Sequence, residues 1–495
     1  MGAAVVLAHA HLLALAQPAV PRHVRVDGVR FVESATSSPI VLSGPNVVVK
    51  GWPWFPEVKG SSVCADSPME PGAECQAYPK LCTSCKTFNQ ADIDHMKALG
   101  ENSIRLGVVW AGAQPRDENA LDPDFLRRMH AVLNLTDANG IHVVLDNHGD
   151  MVGSQNCGNG VPTWFQRKAA ADLFGKPLRT SKGLASLVGK LIPASHVLVE
   201  ETEGYDRCGD NESLWAAHAG DPNYNLLNEC CIAINSANGR KGGDNPIALG
   251  YTETSQRTMD RLLLKGAGRD EFVRFWALIA TAVKGHPSAF AVEPMNEPMS
   301  VRRRAMFDTW RAVAEAVHEI VPDMSIALAD TGTAPLYNPN GINKWIPKDE
   351  WDMSKETFEW IRNSNTLFYA WHYGDAAHVV NDMLSLGRQW NVPVFSTEAS
   401  CAVMDVAAAV NVSASYWHYS SYCNTGPYFG NRSLDHSFGA CILGWAGGNS
   451  SKCGKQNRRS TPLAIPSQGV VVERQPLHWW NPKWSVHADA ASGVS

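Results

Sequence analysis

Short apolar runs that stop on a polar or acidic residue alternate along this chain with amphipathic helical stretches, and that alternation constrains the fold most tightly. The runs are Val47-Val48-Val49-Lys50, Asn102 to Val109 ending in Trp110, Ile141 to Leu145, Ala289 to Met295, Ser325 to Ala329, Thr366 to Trp371, Val392 to Thr397 and Ala414 to Tyr419. Each has strand length and is almost continuously apolar, as strands buried on both faces of a parallel sheet are. Helical stretches over Asp92 to Leu99, Phe125 to Ala138, Arg269 to Val283 and Met306 to Val321 fall between them, the second closed by Asn139-Gly140, a common helix stop. A repeat of roughly 40 residues per strand–helix unit argues for βα units and a parallel sheet. Eight such strands predict an α/β fold, the (β/α)8 TIM barrel.

The interruptions are placed too. Val24 to Leu42 alternates like a β-hairpin, and Ser43-Gly44-Pro45-Asn46 leads into the first barrel strand. A Cys/Pro/Gly-rich loop follows from Gly51 to Thr87. The rhythm breaks between Asp150 and Phe290, which include a Gly/Asn/Cys-rich stretch from Gly204 to Tyr251. This predicts a long Cys-containing insertion after strand three, over the sheet's C-terminal edge. Asp435 to Ser451 competes with Ala414 to Tyr419 for the eighth strand. The barrel is expected over residues 17–450, with a short C-terminal extension over 451–495.

Active sites of such barrels collect side chains from several strand C-termini. Here Arg105 lies in the second strand; Asp146, His148 and Asp150 follow the third; Asn296 and Glu297 close the fourth; His372 and Tyr373 close the sixth; Glu398 ends the seventh; and Trp417 falls in the eighth. Two acids from two strands are what glycoside hydrolysis needs, one as proton donor and the other as nucleophile or base. Arg105 and Tyr373 would keep Glu398 ionised by charge and hydrogen bonding. The Asn296 amide can donate to a sugar 2-hydroxyl. Glu293 and Glu101 lie close to these motifs but off the strand ends, so both read as structural.

Composition narrows the setting. The net charge of −6 is spread along the chain without a basic block, which argues against a nucleic-acid partner. Seventeen Trp outnumber 15 Phe and 11 Tyr, and a few of them would suit the flat faces of sugar rings while most pack the core. Residues 1–16 carry no charged side chain and end on Ala14-Leu15-Ala16, which predicts a signal peptide. Twelve cysteines, among them Cys64, Cys75, Cys82 and Cys85, suit disulfides in an oxidising compartment. Sequons at Asn134, Asn211, Asn411, Asn431 and Asn449 agree with a secreted or lumenal glycoprotein, although Asn134 falls in a predicted helix. No run is long enough to span a bilayer, so membrane contact would be transient and at the surface.

The motifs together resemble glycoside hydrolase family 5, in its endoglycoceramidase and glucosylceramidase branch. The resemblance lies in Asn102-Ser103-Ile104-Arg105-Leu106-Gly107-Val108-Val109-Trp110, in Leu145-Asp146-Asn147-His148-Gly149-Asp150, in Cys157-Gly158-Asn159-Gly160-Val161-Pro162-Thr163-Trp164, and in Asn296-Glu297-Pro298 with Glu398. It implies a retaining β-glycosidase acting on a glycolipid such as glucosylceramide, needing no cofactor and no metal. Glu297 would be the acid/base and Glu398 the nucleophile. Arg105, His148, Asn296, His372 and Tyr373 would support them, Lys50 and Asp146 would hold the first sugar, and Trp417 or Trp445 would form the sugar platform.

Other readings compete. An endo-β-glucanase would use the same acids on a polysaccharide. A carbohydrate- or lipid-binding barrel without turnover would keep the fold but need neither glutamate. Cys82-Thr83-Ser84-Cys85 has half the spacing of a zinc site but no partner motif. His148, His372, Asp146 and Asp330 are conceivable metal ligands, yet the first strand lacks the H-x-H usual in barrel metallohydrolases. The purely structural alternatives are a buried ion-pair partner for Arg105, caps for Asp146 and Asp150, and core positions for Trp164 and Trp371.

Overall fold

The computed structural model describes residues 21–49, 54–58, 88–117, 119–149, 152–156, 160–173, 178–179, 250, 252–330, 349, 352–372, 376–399 and 401–416. The expected signal peptide, most of the insertion after strand three, the Cys64–Cys85 loop and the C-terminal extension lie outside them.

Among the described residues there are ten strands. An antiparallel hairpin, β1 (Val24–Asp27) with β2 (Arg30–Glu33), precedes a closed barrel. The barrel strands are β3 (Ser43–Val47), β4 (Ser103–Gly107), β5 (His142–Asp146), β6 (Ala289–Glu293), β7 (Ser325–Ala329), β8 (Leu367–His372), β9 (Val394–Ala399) and β10 (Ser413–Tyr416). They pair in parallel in chain order, and β10 returns to β3 to close the ring. This is the (β/α)8 barrel the alternation predicts, with Ser413–Tyr416 as its last strand. Among the described residues no helix is long and apolar enough to cross a membrane.

Alternation along the strands sorts side chains into two sets. Ile104, Leu106, Val143, Leu145, Val292, Ile326, Leu328 and Tyr369 pack outward against the helices. Val144, Phe290, Ala291, Ala327, Phe368, Ala370 and Phe395 fill the barrel, together with Val24, Val26, Phe31 and Leu42 from the N-terminal segment. Phe31 of the hairpin meets Phe290, Phe368 and Phe395 edge-on at 6.0, 5.3 and 6.0 Å, so the hairpin plugs the mouth where the strands begin. Arg22, just before it, donates to the carbonyls of Val283 (3.2 Å), Lys284 (2.6 Å) and Ala289 (3.1 Å), holding the hairpin to the end of the helix Ala267–Val283. The helix Pro123–Asn139 ends as expected on Gly140 in the left-handed conformation. Asn134 lies on its exposed side, and Asn411 occupies an exposed turn.

Two differences from the sequence reading of the strands bear on the site. The first strand occupies Ser43–Val47, so the Gly-Pro segment expected to lead into it is itself strand. Crowding explains the glycine, because a Cβ on Gly44 would lie 1.8 Å from the Ser103 carbonyl oxygen. The fourth strand ends at Glu293 rather than Met295, which leaves Asn296 and Glu297 on a bend beyond the edge.

Beneath the barrel wall, the buried Glu101 carboxyl accepts from the Tyr416 hydroxyl at 3.2 Å, tying the entry of β4 to the end of β10. Burial pushes this carboxyl up to about 8, against the smaller opposing effect of the Tyr416 bond. A carboxyl raised on folding stabilises the protein fully below its unfolded value and loses that contribution as pH rises through the folded value. Glu101→Gln should therefore flatten the fall in stability between about pH 4.5 and 8; denaturant melts of the two proteins that stay parallel across that range would refute this. Phe31→Ala should lower unfolding free energy by about 3–5 kcal/mol with an unchanged denaturant slope, as loss of a buried aromatic side chain does.

Candidate active site

Arg105 sits at the centre of β4 and turns into the barrel, because its neighbours Ile104 and Leu106 face the helices. Its side chain is 0% exposed and meets residues of four other strands. Nε and Nη2 donate to the two carboxylate oxygens of Glu293 at 2.8 and 3.0 Å, the two-pronged geometry a guanidinium favours. Nη1 donates to Asn46 Oδ1 at 2.8 Å and to Glu398 at 2.9 Å. Nη2 also donates to Asn296 Oδ1 at 2.8 Å and lies 3.1 Å from Asp146. Burial by itself would lower the Arg105 pKa; the carboxylates of Asp146, Glu293 and Glu398 outweigh it and raise it.

Asn46 closes the ring of partners. Its amide nitrogen donates to the carbonyls of Thr397 at 2.9 Å and Tyr416 at 3.1 Å, bridging β3 to β9 and β10. Asp146 takes its other partner from the loop just after its own strand, with His148 Nδ1 at 2.7 Å from its carboxylate. His148 in turn lies 3.9 Å from Glu398.

Above this layer lie Glu297, His372 and Glu398. Their side chains are 12%, 7% and 16% exposed, whereas Glu293 and Asp146 are 0% exposed, so the upper set alone offers its acids to the mouth of the barrel. Glu297 Oε1 lies 3.0 Å from His372 Nδ1, and the other ring nitrogen lies 2.9 Å from Thr397 Oγ1. One oxygen of each glutamate and a ring nitrogen of His372 lie within 4.8 Å of one another. That spacing would also suit a cation, but His372 Nδ1 is engaged by Glu297 and Glu398 by Arg105, so the set reads as proton-sharing groups.

Local backbone features aim these side chains. Glu297 has φ 39°, a left-handed conformation uncommon for a residue with a Cβ and costing on the order of 1–3 kcal/mol. It is held there by the preceding Asn296, whose amide N–H donates to the Asn147 carbonyl at 2.9 Å. Pairing of β9 with β8 skips Thr397, so His372 pairs with Glu398 immediately after Trp371 pairs with Ser396. The extra residue lets the consecutive side chains Thr397 and Glu398 both reach the site.

Of the residues singled out from the sequence, the structure brings together Arg105, Asp146, His148, Asn296, Glu297, His372 and Glu398. Lys50, Asp150, Tyr373, Trp417 and Trp445 lie outside the described residues. Trp371 is a core residue, and the half-buried Trp164 packs edge-on against Trp110 at 5.7 Å. Asp330 is engaged away from this cluster by Arg303 at 2.9 Å. Glu293, read as structural from its distance to the strand end, is the last residue of its strand and the main partner of Arg105, because the strand stops two residues early. Asn46 precedes the apolar run expected as the first strand, and Thr397 carries no signal except its place before Glu398.

Residues 69–178 match the family model Cellulase (glycosyl hydrolase family 5), a segment that includes Arg105, Asp146 and His148 but neither Glu297 nor Glu398. The chain is similar to the protein named Endoglycoceramidase of Hydra vulgaris, 24% identical over 256 residues, 52% of this chain and 36% of that protein. It is also similar to Endoglycoceramidase of Cyanea nozakii, 29% identical over 27% of this chain and 22% of that protein. The matches thus span about a third or less of the curated relatives' length. Among solved structures, an endogalactoceramidase aligns with TM-score 0.47 and 13% identity over 81% of this chain and 75% of that one. Endo-glycoceramidase II from Rhodococcus sp. aligns with TM-score 0.44 and 14% identity over 82% and 76%.

Arg105→Met should cost about 3–5 kcal/mol, because it strands buried carboxylates without their cation. Arg105→Met with Glu293→Met should recover part of that loss in thermal melts; a double variant no more stable than the single one would count against the pairing.

Proposed function

We propose that this protein is a retaining β-glycosidase acting on a glycolipid, in which Glu297 protonates the leaving oxygen and Glu398 attacks the anomeric carbon. The observation that carries the reading is the contrast between the two acids. Glu398 accepts from the buried Arg105 guanidinium, which favours the ionised form a nucleophile needs. Glu297 faces His372 instead, a partner that can share a proton with it. The close approach of the two groups suits direct attack, for which carboxyls stand about 5–5.5 Å apart, better than the wider gap of about 6.5–9.5 Å that admits a water in inverting enzymes. Because Arg105 takes the Asn296 amide oxygen, the orientation of that amide is fixed and Nδ2 is its donating end, the group that would serve a sugar 2-hydroxyl.

The reaction then has two halves. Glu398 displaces the aglycone as Glu297 gives its proton to the departing oxygen, leaving a glycosyl ester on Glu398. Glu297, now a carboxylate, takes a proton from water, and the hydroxide oxygen releases the sugar with its original configuration. Similarity to proteins named endoglycoceramidase supports an amphiphilic substrate, and the uncharged N-terminal stretch, the cysteines and the sequons support a secreted or lumenal setting. The match to the cellulase family model keeps a second reading, an endo-β-glucanase with the same two acids.

The purified chain is expected to release sugar from glucosylceramide and not from carboxymethyl-cellulose. Cleavage of the polymer alone would replace the first reading with the second, and binding of either without release would sink both. Glu398→Gln should reduce turnover by roughly 10⁴-fold with folding unchanged, and Glu297→Ala should be rescued by azide or by an activated leaving group.

A further inference from the structure

We propose that Thr397 and Glu293 are positioning residues that hold a proton on Nε2 of His372, leaving Nδ1 to share a single proton with Glu297. The inference rests on the reading of Glu297 as the acid and names the groups that keep it loaded.

The chain of contacts runs from the mouth of the barrel inward. Glu297 Oε1 lies 3.0 Å from His372 Nδ1, His372 Nε2 lies 2.9 Å from Thr397 Oγ1, and the Thr397 hydroxyl donates to Glu293 Oε1 at 3.4 Å. Glu293 is held by two bonds from the Arg105 guanidinium and is 0% exposed, so it is an acceptor. Thr397 has one proton. Giving it to Glu293 leaves only lone pairs toward the ring, so Nε2 must carry hydrogen. The Glu293 oxygen itself lies 3.8 Å from Nε2, and a bare nitrogen there would face two oxygen lone-pair sets without a proton between them.

The consequence falls on the other nitrogen. With Nε2 protonated, a neutral His372 presents a lone pair at Nδ1, and the contact to Glu297 is a hydrogen bond only when a second proton lies between them. That proton sits on Glu297 or on Nδ1. Once it has passed to a leaving group, the bare Nδ1 faces a carboxylate, with Glu398 also 3.9 Å away, and the pair is driven to recover a proton from water. The relay thus favours the loaded acid before the first half-reaction and a strong base during the second. Among the described residues, the charged and titratable groups around His372 include Glu297 and Glu293 from the β6 end and Glu398 from β9, with Arg105 behind Glu293 and Glu398.

Thr397→Val removes the hydroxyl while keeping the shape, and frees the ring to turn its neutral proton to Nδ1, where it would stabilise an ionised Glu297. The alkaline limb of kcat/KM for an aglycone that needs protonation should then move down by about one pH unit. kcat/KM should fall about tenfold or more on that substrate and much less on a dinitrophenyl glycoside, which needs no acid. Thr397→Ser should restore both. Imidazole nitrogen NMR of histidine-labelled wild-type protein, with His372 assigned by its loss in His372→Asn, reads the tautomer without any turnover. A signal for protonated Nε2 that switches in Thr397→Val is the expected result. A neutral wild-type ring protonated at Nδ1 alone, or a Thr397→Val profile that coincides with wild type, would overturn the relay. Absence of sugar release by wild type would instead remove the glycosidase reading, and the NMR result would still decide the relay.

Discussion

One buried arginine organises this barrel. Arg105 gathers Asn46 from β3, Asp146 from β5, Glu293 from β6 and Glu398 from β9 around a guanidinium with no solvent exposure. Burying a cation in a protein interior costs several kcal/mol, and burying three carboxylates costs more. Each is tolerable only because the others are in place, so the strands are locked in relative height by charge as well as by the backbone ladder. Asn46 extends the same lock across the seam, from Arg105 to the carbonyls of β9 and β10. Closing the ring and building the site are therefore one event, carried by the same atoms.

The interior is graded along its axis. Phenylalanines from three strands and the hairpin fill the lower end and exclude water beneath the ionic layer. In such surroundings the Arg105 contacts are stronger than the same contacts in water. Above them, exposure rises from 0% at Glu293 to 16% at Glu398, which gives the upper acids access to the mouth while their supports stay dry. A site assembled this way keeps its donors and acceptors oriented before anything binds, the condition under which electrostatic stabilisation is effective.

How much of this was legible in the sequence follows from what periodicity records. Buried parallel strands leave long apolar runs, so all eight were found, and Glu398 and His372 stood at their ends. Register leaves no such trace. The extra residue in β9 that brings Thr397 and Glu398 inward together is a property of pairing with two neighbours, visible in neither strand alone. Glu293 looked remote from the strand end because the apolar run continues through Pro294 and Met295, whereas the ladder stops at Glu293. Gly44 and Pro45 are residue types that punctuate strands, yet Gly44 serves a close approach to the Ser103 carbonyl within one. Asn46, beside them, carries no apolar signal.

The two acids at the mouth illustrate why residue type alone underdetermines chemistry. Both are glutamates, both lie at or beyond the C-terminal end of a parallel strand, and their carboxylate oxygens share one histidine nitrogen as a neighbour. What separates them is height and backbone. Glu398 lies within its strand and reaches down to the arginine. Glu297 stands four residues beyond the end of β6, on a strained φ of 39°, and turns to the histidine. The strain is thus part of what sets two identical side chains of one barrel against different partners.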